Sequence, residues 1–531
     1  MDDLQAHASD AAASGALPVA TLGTTDSSNG LPEIDFAAGT SQTKGFVRRL
    51  VSGTFNYGLG QSIPKLISFL LLPVYTRLLS PTDYGFLDNA IAFGGFLMML
   101  MRQGVPGAVA RYYYDYDEGP SLRDYVTTVA WFMLGSSLIV GLIALAVCPW
   151  LLGSLIPGMP LSFAFLAVLS GIAYCNSELQ SRLVQAREQS AYQARLNVGR
   201  ASISIALAIL FVVVLRTGAA GMLAAEVVSY GLLALVAIYY LRNELRGRFQ
   251  RSMLRSSLAY GWAMMPADFV GSLTPLVTKG VLTGAASAAA TGVLGLAIRV
   301  SQPLALIGMA FQTAYNPIYF SVRKEETAAG LERLAATARN VWTGAVGCAV
   351  AAALLGPSLV VLATPPSFHA AAPLVPILAI VFLGSMAYNL LGPEIFYRKR
   401  TWLLPVIVYG SAAVDITISV LTVERYGAVG VAWASAARST LSAAIAGIIS
   451  CRLVKIPYPW SSMLRSGLCG LAIVIPLSLL SLRSPFLSLA LGFAGSAAYL
   501  ALLWVTGDPS VRLVAAFLAK NRSVACSKRP V

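Results

Sequence analysis

Long apolar stretches alternate with short polar connectors along almost the whole chain. Windows of about twenty residues dominated by Leu, Ile, Val, Phe, Ala and Gly recur at roughly 52–76, 85–107, 125–148, 162–182, 196–215, 219–241, 258–282, 288–314, 341–363, 373–396, 402–423, 427–450, 464–482 and 486–506. Each is near the length an α-helix needs to cross the hydrocarbon of a bilayer. The apolar residues come in runs such as LAILFVVVL rather than in strict alternation, which excludes a β-barrel pattern. The fold class predicted is an all-α polytopic membrane protein of about fourteen transmembrane helices. Residues 1–45, rich in Ala, Ser, Thr and Gly, read as a disordered cytoplasmic tail, and 511–531 as a cytoplasmic C-terminal tail. No basic segment followed by an apolar stretch opens the chain, so no cleaved signal peptide is expected.

Composition narrows the class further. Of 531 residues, 56% are hydrophobic and 12% charged. That is too little charge to cover the surface of a soluble chain this long. Net charge is +14, which in a soluble protein would point to nucleic acid. Its distribution gives another reading. With a cytoplasmic N-terminus, 29 Lys and Arg fall in inner segments, against Arg77, Arg216, Arg425 and Arg483 in outer ones. This is the positive-inside pattern of a protein with both termini in the cytoplasm, and no nucleic-acid partner is implied. Six scattered cysteines without a CxxC, and only two histidines, offer no zinc site, and no cofactor is expected.

The chain also repeats itself. At a constant offset of 202, Pro64, Leu71, Pro73, Thr76 and Arg77 match Pro266, Leu273, Pro275, Thr278 and Lys279. In the next span, at offset 207, Gly85, Leu87, Ala90, Ile91 and Tyr112 match Gly292, Leu294, Ala297, Ile298 and Tyr319. Six spans per half is an even number, so the halves enter the membrane the same way up. The repeat is parallel, about an axis along the membrane normal. The organisation expected is an N-lobe over 46–250, a C-lobe over 251–455 and two added helices over 456–510. Paired prolines within matched spans suggest interrupted helices bordering a transport site between the lobes, or packing kinks with no ligand role.

Charged residues inside the spans carry the candidate chemistry, because each costs free energy in hydrocarbon. The bases are Lys65, Arg102, Lys279, Arg299 and Arg438, with Arg77 near a span end. Lys65, Lys279 and Arg299 lie on the matched helices and suit either a wet cationic cavity or structural ion pairs. Arg102 is close enough to the inner surface to snorkel, and Arg438 could pair with Asp415 or Glu424. The acids are Asp88, Glu178, Glu226, Asp268, Glu394 and Asp415. Asp268 and Lys279 share a stripe of one helix and cannot touch, about 16 Å apart at 1.5 Å per residue. Asp268 is the candidate for proton or cation coupling.

The segment NYGLGQSIPKLISFLLLPVYTRLLSPTDYGFLD, followed by GVPGAVARYYYD, resembles the opening of the Wzx-type polysaccharide-biosynthesis flippases. These belong to the multidrug/oligosaccharidyl-lipid/polysaccharide superfamily. The resemblance in topology spans about 45–455. It implies two lobes around a cationic cavity and alternating access in a bacterial inner membrane. It also implies a lipid-linked oligosaccharide substrate, usually on undecaprenyl pyrophosphate, for O-antigen, capsule or exopolysaccharide synthesis. The intramembrane bases Lys65, Lys279, Arg299 and Arg438 are the candidate contacts for its phosphates, with Arg77 either a further contact or an anchor at the outer interface. Membrane lipids and a polysaccharide polymerase or export machinery are the partners it suggests. A drug or cation antiporter would share the architecture, but its cationic substrate would favour acids over the bases found here. A membrane glycan polymerase or ligase would need larger outer loops than these and a catalytic carboxylate or His cluster.

Overall fold

The computed structural model describes residues 67–509, except 68, 117–118, 157, 326, 399 and 481–483. Lys65, Pro64, both tails and most of the first predicted span lie outside the described residues. The rest is helical, with no strand among the described residues. In chain order the helices are α1 (Leu72–Leu78), α2 (Pro81–Arg102), α3 (Val105–Tyr112), α4 (Pro120–Leu155), α5 (Leu161–Ala186), α6 (Ser190–Ile209, continued by a π-turn to Val214) and α7 (Ala219–Leu241). Then follow α8 (Arg251–Ala285), α9 (Ala288–Val300), α10 (Gln302–Glu325), α11 (Ala328–Ala363), α12 (Leu374–Leu391), α13 (Pro393–Tyr397), α14 (Leu404–Leu453), α15 (Trp460–Leu479) and α16 (Pro485–Val505). Helices satisfy their own backbone groups, which lipid cannot do.

Ten of these helices are long and apolar enough to cross a membrane, and α9 with α10, bent by 48°, is long and apolar enough when the two are taken together. The 50-residue α14 is two crossings. Asp415 and Arg438 on it are 3.5 Å apart, whereas 23 residues of straight helix would separate them by about 34 Å. The chain reverses at Gly427, whose φ of +52° suits a residue without Cβ. The 35-residue α8 is long enough to span, with Pro266 and Pro275 inside it. The expectation that paired prolines interrupt this helix needs correcting: α8 runs through both. The interruptions fall in the following span of each half, between α2 and α3 at Gln103–Gly104 and between α9 and α10 at Ser301. Each is followed by a proline, Pro106 or Pro303. Pro303 has no N–H to offer the carbonyl of Arg299 four residues before it, so the ladder opens there.

The repeat is visible as matched local bonding. Ser80 caps α2 by accepting from Asp83 N at 3.2 Å, and Ser287, at offset 207, caps α9 by accepting from Ala290 N at 3.0 Å. Thr76 donates to the carbonyls of Leu72 and Pro73 at 2.9 and 3.4 Å. Thr278 donates to those of Thr274 and Pro275 at 3.0 and 3.5 Å, the same bonds at offset 202. The halves also meet reciprocally where α2 crosses α9. A Cβ on Gly85 would overlap the carbonyl of Ala288, and one on Gly292 would overlap that of Pro81. Pro81/Ala288 and Gly85/Gly292 are both pairs at offset 207, so this contact is isologous, as about a two-fold axis. In the orientation the charge asymmetry predicts, it lies at the outer end. Toward the inner end, Gly104 packs on Gly261 and Trp262 donates to Gln103 at 3.3 Å.

The added pair α15–α16 rests on α11. Tyr499 donates to the Thr343 carbonyl at 3.3 Å, and Trp342 to that of Met463 at 3.0 Å. Large apolar side chains such as Leu235, Ile238, Leu421, Phe486 and Val505 stay exposed around the molecule, an outside suited to lipid.

Candidate functional site: a charged seam between the lobes

Antiparallel α2 and α8 face each other with opposite charges at two levels. At the outer level Asp88 of α2 meets Lys279 of α8, Nζ to Oδ2 at 3.6 Å. At the inner level Arg102 of α2 meets Asp268 of α8 at 3.7 Å. The single stripe predicted for Asp268 and Lys279 is thus the face of α8 turned to α2. Asp268 holds a base of the other half rather than standing alone. Arg102 is drawn off the snorkelling path, since it also lies 3.6 Å from Glu178, itself bonded to Arg182 at 2.9 Å.

Asp88 takes a second base. Arg299 of α9 donates from Nη2 to Asp88 Oδ1 at 2.6 Å. Two bases therefore share one carboxylate, whose side chain is 6% exposed. The repeat explains the space. Asp88 matches Gly295 at offset 207, and a Cβ on Gly295 would overlap the Asp88 carboxylate. One half supplies the acid and the other the vacancy that receives it. Beside this cluster, Asn89 donates to Thr283 at 2.6 Å, and Thr283 and Thr291 share a hydrogen bond of 2.8 Å.

Arg299 reaches from the second half into the first. Its guanidinium lies 5.0 Å from the centre of the Tyr84 ring. It helps to line a cavity of about 200 Å³ together with Tyr75, Tyr84, Ser204 and Glu226. Its Nη1 is buried with no hydrogen-bond partner among the described residues. A buried guanidinium with a spare donor is a ready anion ligand. The break at the inner level is satisfied locally. Gln103 and Gly104 both have positive φ, 45° and 73°, and Ser136 donates to the Met101 carbonyl at 2.7 Å.

Lys279 and Arg299 are thus brought together. Arg438 sits elsewhere, paired with Asp415 within the α14 hairpin. Arg77 is exposed at the outer end of α1, and no ion pair involves it among the described residues. Sequence reasoning noted Asp88 and Glu226 only as intramembrane acids and missed Tyr84. The usable signal was an acid in one half standing where the repeat has glycine.

The model of the family described as polysaccharide biosynthesis protein matches residues 50–322, just over half of the chain. The chain belongs to that family. No curated protein sequence matches this family member. Its fold is that of the MOP superfamily. It superposes on the lipid II flippase MurJ in an inward closed conformation with a TM-score of 0.70 at 13% identity, covering 85% of this chain and 99% of that one. An inward-facing multidrug resistance MATE transporter gives 0.61 at 14% identity, covering 77% and 98%. A Vibrio cholerae MATE transporter gives 0.54 at 16% identity, covering 78% and 99%.

Proposed function

We propose that the chain is a flippase that carries an oligosaccharide on a polyisoprenoid pyrophosphate, of the undecaprenyl type, from the cytoplasmic to the outer face of a bacterial inner membrane. Its lobes would be 46–250 and 251–455, with 456–510 as added helices. The carrying observation is the sharing of Asp88 by Lys279 and Arg299 across the lobes. A pyrophosphate competes for both bases: arginine offers it paired donors and lysine a point charge. Once it takes them, Asp88 loses the ties that hold α2 against α8 and α9 at the outer end. Binding thereby favours outer opening, because the ligand has different affinity for the two states. Release restores the ties. Asp268 and Arg102 form the opposing inner tie, and a proton or cation on Asp268 would free it. Arg77 at the outer end and Arg438 in the C-lobe are further proposed contacts, as is Lys65. Membrane lipids surround the path, and a polysaccharide polymerase would take the product.

The test uses a host lacking the gene, complemented with variants at matched abundance. Wild type should clear lipid-linked oligosaccharide from the cytoplasmic face. Lys279→Gln and Arg299→Gln should each cut export at least tenfold, and Lys279→Arg should keep most of it. Export at the wild-type rate by both Gln variants, singly and together, overturns the cationic mechanism.

A further inference from the structure

We infer that α10 and α12 form a neutral, hydroxyl-reading subsite for the glycan, apart from the charged seam. The inference rests on the flippase reading above. Helix α10 carries three distinct stripes. One is buried in the C-lobe, with Tyr315 and Tyr319 packed against Leu334 and Ala338 of α11. The second, Ile307, Ala310, Ala314 and Ile318, is exposed and wholly apolar, as a lipid-facing surface is. The third lies opposite the second and bears Gln312 and Asn316, one turn apart. Carboxamides in contact with hydrocarbon are costly. This stripe therefore faces the polar side, which the 48° bend at Ser301 swings away from the axis of α9.

Helix α12 continues the polar surface. Gly308 packs near Met386, which sets α12 beside α10 in register. Gln312 Nε2 donates to Asn389 Oδ1 at 3.1 Å, and Ser385 is exposed one turn before Asn389. A carboxamide has two donor hydrogens and one acceptor oxygen. The Gln312–Asn389 bond uses only one donor and one acceptor, leaving the oxygen of Gln312 and the amino group of Asn389 without a partner among the described residues. A hydroxyl donates and accepts at once, so it suits this mixed pair. Asn316 is half-buried and makes no hydrogen bond among the described residues. Around Gln312 and Asn316 the stripe carries no acid or base. Two turns further on Arg323 shares the face, but it is buried in its pair with Glu394, so the exposed part recognises a neutral hydroxylated ligand, not phosphate. From Arg299 to Gln312 is about 20 Å along the helix path. One bent helix thus presents a phosphate ligand at one level and an amide ladder at another, the separation that an oligosaccharide of several sugars can bridge.

The experiment measures binding to the purified full-length chain by native mass spectrometry. The probes are undecaprenyl pyrophosphate and the lipid-linked oligosaccharide extracted from cells lacking the gene. Wild type is expected to bind both, the glycan-bearing lipid more tightly. Gln312→Leu with Asn389→Leu should weaken the glycan-bearing lipid about tenfold, the effect of losing two hydrogen bonds, and leave undecaprenyl pyrophosphate unchanged. Asn316→Leu should act in the same sense. Equal weakening of both probes, with a lower melting temperature, would make the pair a helix clamp and overturn the subsite. An unchanged preference in all variants overturns it as well. If wild type binds neither probe, the flippase reading itself falls.

Discussion

Asp88 concentrates the chemistry of the seam in one side chain. Its carboxylate holds Arg299 and Lys279 and is nearly inaccessible. Replacing it with Asn leaves two bases facing each other without a counter-ion. Removing one partner of a buried charged group costs about 3–5 kcal/mol. Asp88→Asn is therefore expected to lower the melting temperature in detergent markedly. Adding Lys279→Gln should restore part of it, because one surplus charge is gone. The pair should be non-additive in a double-mutant cycle. A variant Asp88→Asn that melts like wild type would mean that water, not the carboxylate, keeps these bases satisfied. The intramembrane charges themselves were legible in the sequence, since an acid inside an apolar run is conspicuous. Their partners were not. Arg299 and Asp88 are 211 positions apart, and the offset-207 repeat matches like positions of the two halves without saying which side chains meet. Only Arg438 had its partner Asp415 among the named possibilities, because the two lie on consecutive spans.

Matched elements, rather than matched residues, carry the symmetry. Gly85 and Gly292 are two ends of one reciprocal contact, and neither leaves room for a Cβ. Gly85→Val and Gly292→Val should therefore push the same outer contact apart, and by symmetry to a similar degree. Spin labels at Thr82→Cys and Ser287→Cys, in a background without native cysteines, should report a longer distance in both variants. An increase in one and none in the other would refute the isologous contact. The sequence repeat made the correspondence of these helices readable in advance, but not their contact. The position of the breaks was not readable either. A proline pair in α8 drew attention to that helix, yet each proline removes one ladder bond, to the carbonyl of Trp262 or Gly271, without ending the helix. The operative signals were Pro106, two residues after Gly104, and Pro303. Each follows an arginine by four residues.

For the whole molecule, orientation follows from where the bases gather. Some inner arginines have structural work: Arg187 bonds Glu244 at 2.6 Å, and Arg323 makes a two-pronged pair with buried Glu394 at 2.9 and 3.0 Å. They still count toward topology, because the rule depends on Lys and Arg near span ends and acids contribute little. Between α7 and α8 Arg242, Arg246 and Arg248 are exposed, as is Arg251 at the start of α8. The folded connections supply the alternation this requires. The alternation predicted puts Gly218, the 3₁₀ turn Pro366–Ala371 and Gly427 at the outer end, and the Thr401–Leu403 turn between α13 and α14 at the inner one. Reporter domains fused after residues 218, 370 and 425 should accordingly lie outside, and one fused after residue 400 inside. The fusion after 425 is the most exacting of the four, since it depends on α14 reversing at Gly427 rather than running on as one long helix. Two or more reversed reporters would overturn this topology and, with it, the proposed direction of transport.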